Sequence, residues 1–105
     1  SEKGRGSRMI QNAGSQLVGT TDAAVGTSGT AIRIFMIHII SGTAAIVSLR
    51  NGTASTATAY ATETGTANTG KTITYGTQGM LFPSGCFVDV DVNTTSVLVT
   101  FCYAS

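Results

Sequence analysis

A chain of 105 residues has room for one domain and one small core. Only 10% of its residues are charged, against about 25% in ordinary soluble domains, so its solubility rests on the hydroxyls of Ser and Thr and its surface dehydrates cheaply. The formal net charge is +1, and once Lys3, Arg5 and Arg8 are set aside only Arg33, Arg50 and Lys71 remain as bases, with no aromatic stacking platform beside them, which argues against nucleic-acid binding by the body of the chain.

In chain order, residues 1–14 read as a basic, flexible N-terminal arm: Lys3, Arg5 and Arg8 alternate with Gly4, Gly6 and Ser7, and Met9 and Ile10 are its large apolar residues. Such an arm suits contact with an acidic partner surface or with nucleic acid, and Lys3, Arg5, Arg8, Met9 and Ile10 are its candidate contact residues toward a capsid partner. The pattern of a secretory signal is not seen, and a leading serine is what removal of an initiator methionine leaves, so synthesis in a cytoplasm is expected.

Residues 15–105 read as one β-domain. The dipeptide Gly-Thr recurs at irregular intervals from Gly19-Thr20 to Gly76-Thr77. Glycine supplies turn backbone and the adjoining β-branched threonine favours extension, so each pair marks a turn that opens a strand. Strands are predicted at 16–20, 31–40, 44–50, 56–64, 71–75, 79–82, 86–92 and 96–103. No window holds helical periodicity. The fold class expected is all-β, a small antiparallel sandwich or jelly roll of about eight short strands preceded by the extended arm.

The segment 31–40 is apolar on both alternating sets, which predicts cover on both faces. Its apolar run, Ile34 to Ile40, is interrupted by His38 and far shorter than the roughly 20 residues of a membrane-spanning helix, so no membrane partner is expected. Ser41-Gly42 reads as a hairpin turn that sets Ile34 against Leu49, Met36 against Val47 and Arg33 against Arg50; that last like-charged pair would need a shared acidic neighbour or spread into solvent. Thr56 to Thr64 carries threonine at almost every even position and reads as an exposed, hydroxyl-rich edge. Gly70-Lys71-Thr72 lacks the first glycine of a phosphate-binding loop and reads as a turn. At the end of the chain Val88, Val90 and Val92 alternate with Asp89 and Asp91, and Val97, Val99 and Phe101 share a face. A turn at Asn93-Thr94 would pair Val90 with Val97 and place Cys86 and Cys102 on different faces, as free thiols.

Chemistry-bearing residues are sparse. His38 is the single histidine, set among isoleucines, and reads as a core or interface residue. Asp89 and Asp91 share a strand face but lack the loop that a calcium site uses, so they read as a solvated face. Neither cysteine has the basic, helix-terminal setting of a reactive thiolate. Glycan binding through Tyr60, Tyr75 and Tyr103 is weakened by the absence of tryptophan. No catalytic residue, metal site or cofactor is expected, and the chain is not read as an enzyme.

Two stretches carry a resemblance: Ile37-His38-Ile39-Ile40-Ser41-Gly42-Thr43-Ala44-Ala45-Ile46-Val47-Ser48-Leu49-Arg50-Asn51-Gly52 and Gly79-Met80-Leu81-Phe82-Pro83-Ser84-Gly85-Cys86-Phe87-Val88-Asp89-Val90-Asp91. Together they resemble small virion structural proteins of tailed bacteriophages, over roughly residues 34–103. The resemblance implies a capsid decoration or cement protein on the outside of a phage head, with the major capsid protein as partner and a homotrimer as assembly. The alternatives are a tail, fibre or head-to-tail component, or a receptor- or glycan-binding module. The family supplies no active-site residues.

Overall fold

The computed structural model describes residues 13–104. These form nine strands and no helix: β1 (Ala13–Val18), β2 (Ala23–Ala24), β3 (Ile32–Ser41), β4 (Ala45–Asn51), β5 (Thr58–Gly65), β6 (Lys71–Thr74), β7 (Met80–Phe82), β8 (Cys86–Val90) and β9 (Thr94–Tyr103). The expected all-β sandwich is present, as two antiparallel sheets. Sheet A runs β1-β9-β3-β6, with β7 continuing beside β3 past the end of β6; sheet B runs β2-β8-β4-β5. β2, a two-residue strand, was not among the predicted elements. β1 begins at Ala13, so Ala13 and Gly14 of the expected arm lie in a strand, whereas Lys3, Arg5, Arg8, Met9 and Ile10 fall outside the described residues.

The chain pairs like a long hairpin rolled up on itself. β1 pairs β9, β2 pairs β8, β3 pairs β6 and β7, and β4 pairs β5 at the tip of the ribbon. Rolling the ribbon then lays β3 along β9 and β4 along β8. This overturns both predicted local hairpins. Ser41-Gly42 does not turn β3 onto β4, and Asn93-Thr94 does not turn β8 onto β9; each connection crosses from one sheet to the other. β3 already has β9 on one side and β6 with β7 on the other, leaving no backbone edge for β4. Arg50 therefore never meets Arg33: it bonds Asp89 at 2.9 Å, and Arg33 sits beside Cys102 and Leu81. The expectation that Val90 opposes Val97 fails for the same reason, since Val90 pairs Val47 and Val97 pairs Ile39.

The double-apolar run of β3 has a different cause from the two-sided cover expected of it. Its register against β9 shifts between Ile34 and Met36, a β-bulge at Phe35 whose carbonyl accepts the Tyr75 amide at 2.8 Å. One extra residue reverses which parity points inward. Ile32 and Ile34 are buried before the bulge, and Ile37, Ile39 and Ser41 after it. One face of β3 is thus the core, and Met36, His38 and Ile40 stand on the other.

The core fills the space between the sheets with Ile32, Ile34, Ile37, Ile39, Phe82, Val97 and Val99 from sheet A against Val47, Leu49 and Val88 from sheet B, all fully buried. Polar side chains close the two open flanks. On one, Lys71 Nζ donates to the Thr64 carbonyl at 2.9 Å and the Tyr75 hydroxyl to Glu63 at 3.0 Å, tying β6 to β5. On the other, Gln16 of β1 donates to the Ala24 carbonyl and accepts from the Gly26 amide. Cys86 lies in sheet B and Cys102 in sheet A, and both are free thiols.

Candidate interaction surface

The two outer faces of the sandwich differ in chemistry, and the registers show why. On sheet B the outward positions carry Arg50 and Asp89, joined by the 2.9 Å ion pair, while the Arg50 Nη1 also donates to the Ala57 carbonyl. Asp91 follows at the end of β8. Burial works against its charge, but the amides of Ile46 and Asn93 and the hydroxyl and amide of Thr94 outweigh that and hold its carboxyl below the ordinary value. Asp22 accepts the Val90 amide at 2.8 Å. These carboxylates are therefore occupied as caps and ion-pair partners. Among the described residues no group of three or more His, Cys, Asp or Glu side chains is gathered in a metal-binding arrangement.

Sheet A presents an almost uncharged outer face. Residues paired across antiparallel strands point the same way, so the ladders can be read as rows. One row runs Leu17, Leu98, His38, Thr72 across β1, β9, β3 and β6; the next runs Ser15, Thr100, Met36, Thr74. Ile40 beside Ser96 borders the first row on one side, and Cys102, Arg33 and Leu81 border the second on the other. Leu17 is 66% exposed, Ile40 44%, Leu98 40% and Leu81 39%. Among the described residues, four of the seven large apolar side chains left exposed thus collect on this one face, separated by small hydroxyl residues, with Arg33 the charged member of these rows. Leu17 pairs Leu98 directly and Ile40 lies two residues along β3 from the partner of Leu98, so these three adjoin while Leu81 stands apart beside Arg33; adjoining exposed apolar residues rimmed by polar ones mark an interaction site more often than scattered single residues do.

At one end of this face lies a cleft of about 430 Å³ between β3, the β5–β6 turn and the start of β9. His38 is held there by a 2.7 Å hydrogen bond between its Nδ1 and the Thr72 hydroxyl. Its hydrogen-bonded neighbour is a hydroxyl rather than a carboxylate, so it lacks the orienting acid of a catalytic dyad.

Other residues singled out in the sequence are absorbed by structure. Tyr60 stacks on Phe82 with ring centroids 5.3 Å apart, the Tyr75 hydroxyl is raised in pKa by burial and by its bond to Glu63, and the Tyr103 hydroxyl accepts the Thr27 amide at 2.9 Å. The three tyrosines do not assemble into one platform. Burial pushes the Cys86 thiol up to about 12, the opposite of a reactive thiolate. The threonine-rich segment forms β5, the edge of sheet B, with Thr58, Thr62 and Thr64 exposed as expected. Gly70 ends the β5–β6 turn and Lys71 opens β6. The sheet A face is not visible in the sequence because its members come from five strands whose pairing is set by the rolled ribbon.

No protein-family model matches the chain, and no curated protein matches it. Among solved structures it is similar to the coat protein dimer of Tobacco streak virus, with a TM-score of 0.39 at 9% identity over 90% of this chain and 88% of that one. The C2 crystal form of the same coat protein gives a TM-score of 0.40 at 9% identity, over 90% and 88% of the two chains.

Proposed function

We propose that this chain is a virion structural protein whose work is contact: a jelly-roll decoration or cement protein on the outside of a phage head, assembled as a trimer and bridging major capsid subunits. The observation that carries the reading is the outer face of sheet A, where Leu17, Leu98, Ile40 and Leu81 are exposed among hydroxyls with little charge to desolvate. Burying such a face against a protein neighbour gains apolar contact at small electrostatic cost. The nested pairing of first strand with last, second with next to last, and inward to β4 with β5 supports the jelly-roll assignment. A fold of that kind hosts many functions, so the face rather than the fold bears the weight.

The mechanism is added interface. A standard contact of about 1,600 Å² between neighbours, repeated by symmetry, resists forces that separate capsid subunits. The N-terminal arm serves as a clamp in this reading, with Lys3, Arg5 and Arg8 on an acidic neighbour and Met9 and Ile10 as apolar anchors. Quantitative gel analysis of purified particles tests the assignment: a cement protein occurs in hundreds of copies, whereas a tail or fibre part occurs in about a dozen. Tail-like stoichiometry, or absence from particles, overturns it. Removing residues 1–10 tests the clamp, with reduced occupancy on heads and an intact β-fold as the expected result.

A further inference from the structure

Two backbone irregularities and one glycine converge on the cleft at the end of sheet A. The β3–β9 register shifts a second time between Ile40 and Ser41, because Ile40 pairs Ser96 while Ser41 pairs Thr94. Thr95 is therefore an extra residue on β9, exposed and lining the cleft. Across from it, Asn68 in the β5–β6 turn is the single non-glycine residue with positive φ among those described, at 59°, and its amide is pinned to the Ser41 carbonyl at 3.0 Å. The glycine is Gly70, whose backbone is ordinary but whose neighbour is close. A Cβ there would come within 2.7 Å of His38 Nε2 and 2.8 Å of His38 Cε1, so the missing side chain leaves the imidazole its room at this place. Bulges and left-handed residues gather where a side chain must be re-aimed for a task.

The groups so presented share a chemistry. The Asn68 carboxamide offers both donors and an acceptor, Thr95 offers a hydroxyl, and the Thr69 hydroxyl, which donates to the Ala67 carbonyl at 3.4 Å, offers its acceptor lone pairs. Among the described residues no hydrogen bond engages the Asn68 or Thr95 side chain, while Ile40 supplies an apolar wall beside them. The nearest lysine in sequence, Lys71, is committed to the Thr64 carbonyl at 2.9 Å, and no carboxylate lines the cleft. Its volume of about 430 Å³ falls within the range of small-molecule sites. A lining of paired donors and acceptors beside an apolar wall, with no Lys, Arg, Asp or Glu in it, matches a pyranose, which has hydroxyls on its edge and C–H groups on its face. It offers a phosphate or carboxylate ligand no lysine or arginine counter-charge.

We infer that the cleft formed by His38, Ile40, Asn68, Thr69, Gly70 and Thr95 is a binding site for a neutral saccharide, either a free sugar or the terminal residue of a glycan. The site goes beyond the contact role proposed above and stands or falls separately, because it is tested on the isolated chain without particles. The test is an NMR titration of the full chain with methyl β-galactoside, methyl α-glucoside and N-acetylglucosamine.

Saturable shifts confined to the amides of Asn68, Gly70 and Thr95 and to the His38 ring are expected, with dissociation constants on the order of millimolar. Asn68→Gly keeps the left-handed turn while deleting the carboxamide, and Thr95→Val keeps the bulge shape while deleting the hydroxyl. Each should weaken binding about fivefold, the worth of one hydrogen bond. Gly70→Ala should displace the His38 ring and abolish the shifts with the rest of the spectrum unchanged. Retention of the chain on immobilised neutral glycans, lost in the same variants, assigns the source to a glycan; shifts without retention assign it to a free sugar. No saturable shift with any of the three sugars, or binding undiminished in both Asn68→Gly and Thr95→Val, overturns the proposal.

Discussion

Replacing Gly85 with alanine should be among the most damaging single-methyl additions available in this chain. Gly85 has φ +94°, and a Cβ built on it would lie 2.9 Å from the Gly29 nitrogen and 3.2 Å from the Gly29 Cα. Both obstacles are backbone, so no rotamer change relieves them. Its carbonyl also accepts the Gly52 amide at 2.9 Å, so the β7–β8 turn anchors the loops carrying Gly29 and Gly52 at once. Positive φ costs an alanine about 1–2 kcal/mol. Forcing atoms into a packed site adds about 1–3 kcal/mol. A loss of about 3 kcal/mol is therefore expected, which for a domain of this size lowers Tm by about 12–24 °C.

Two sister variants separate the components. Gly76→Ala has φ +86° but nothing within 4 Å of its Cβ, so it should lose the backbone part alone, about 1–2 kcal/mol. Gly42→Ala meets nothing within 4 Å and has no positive φ, so it should be neutral or gain about 0.4–1 kcal/mol from a stiffer unfolded chain. Thermal melts of the three variants by circular dichroism decide the matter. If Gly85→Ala melts within about 3 °C of Gly42→Ala, the loop junction is looser than described and the reasoning fails.

Further predictions concern the thiols, acid stability and the exposed face. Native protein treated with an alkylating reagent at pH 8 should be modified at the partly exposed Cys102 long before Cys86, because a thiol with a pKa of about 12 holds about a thousandfold less thiolate than an ordinary one; equal rates in folded protein would contradict the burial of Cys86. Asp91 has a folded pKa below its unfolded value of 3.8, so its contribution is complete above that value and is lost as pH falls through the folded one. Asp91→Asn should accordingly lower Tm near neutrality, and the gap from the parent should close in melts taken between about pH 4 and 2. Arg50→Ala should cost about 1–2 kcal/mol in urea unfolding, since it leaves Asp89 without its partner at a site about a quarter exposed and frees the Ala57 carbonyl. Leu17→Ser with Leu98→Ser should leave Tm within about 2–4 °C of the parent while reducing occupancy on purified heads; unchanged occupancy would remove the sheet A face from the proposed contact.

Strands were far more legible in the sequence than their partners. Turn chemistry and alternation are local, which is why Val97, Val99 and Phe101 were placed on one face and Thr56 to Thr64 on an exposed edge. Pairing is not local here. Only β4 and β5 are both consecutive and hydrogen-bonded, so hairpins inferred at Ser41-Gly42 and Asn93-Thr94 were bound to mislead. The bulge at Phe35 did leave a trace: the isoleucines change parity between Ile34 and Ile37, which a two-sided strand does not require. The cleft left none, because Asn68, Thr95 and His38 meet only after the ribbon has rolled. Gly70 is legible once its neighbour is known, as the residue whose absent side chain His38 occupies.

The nesting of β1 with β9 also sets a timetable. β9 is the last of the nine strands along the chain, yet it lies between β1 and β3 and supplies Val97, Val99 and Phe101 to the core. Until it emerges during synthesis, β1 has no ladder partner and β3 shows a bare edge and a row of isoleucines. Non-local pairing of this kind folds slowly and exposes strands that other chains can capture. The same late strand that completes the core is therefore the point at which a growing chain is most open to capture by its siblings.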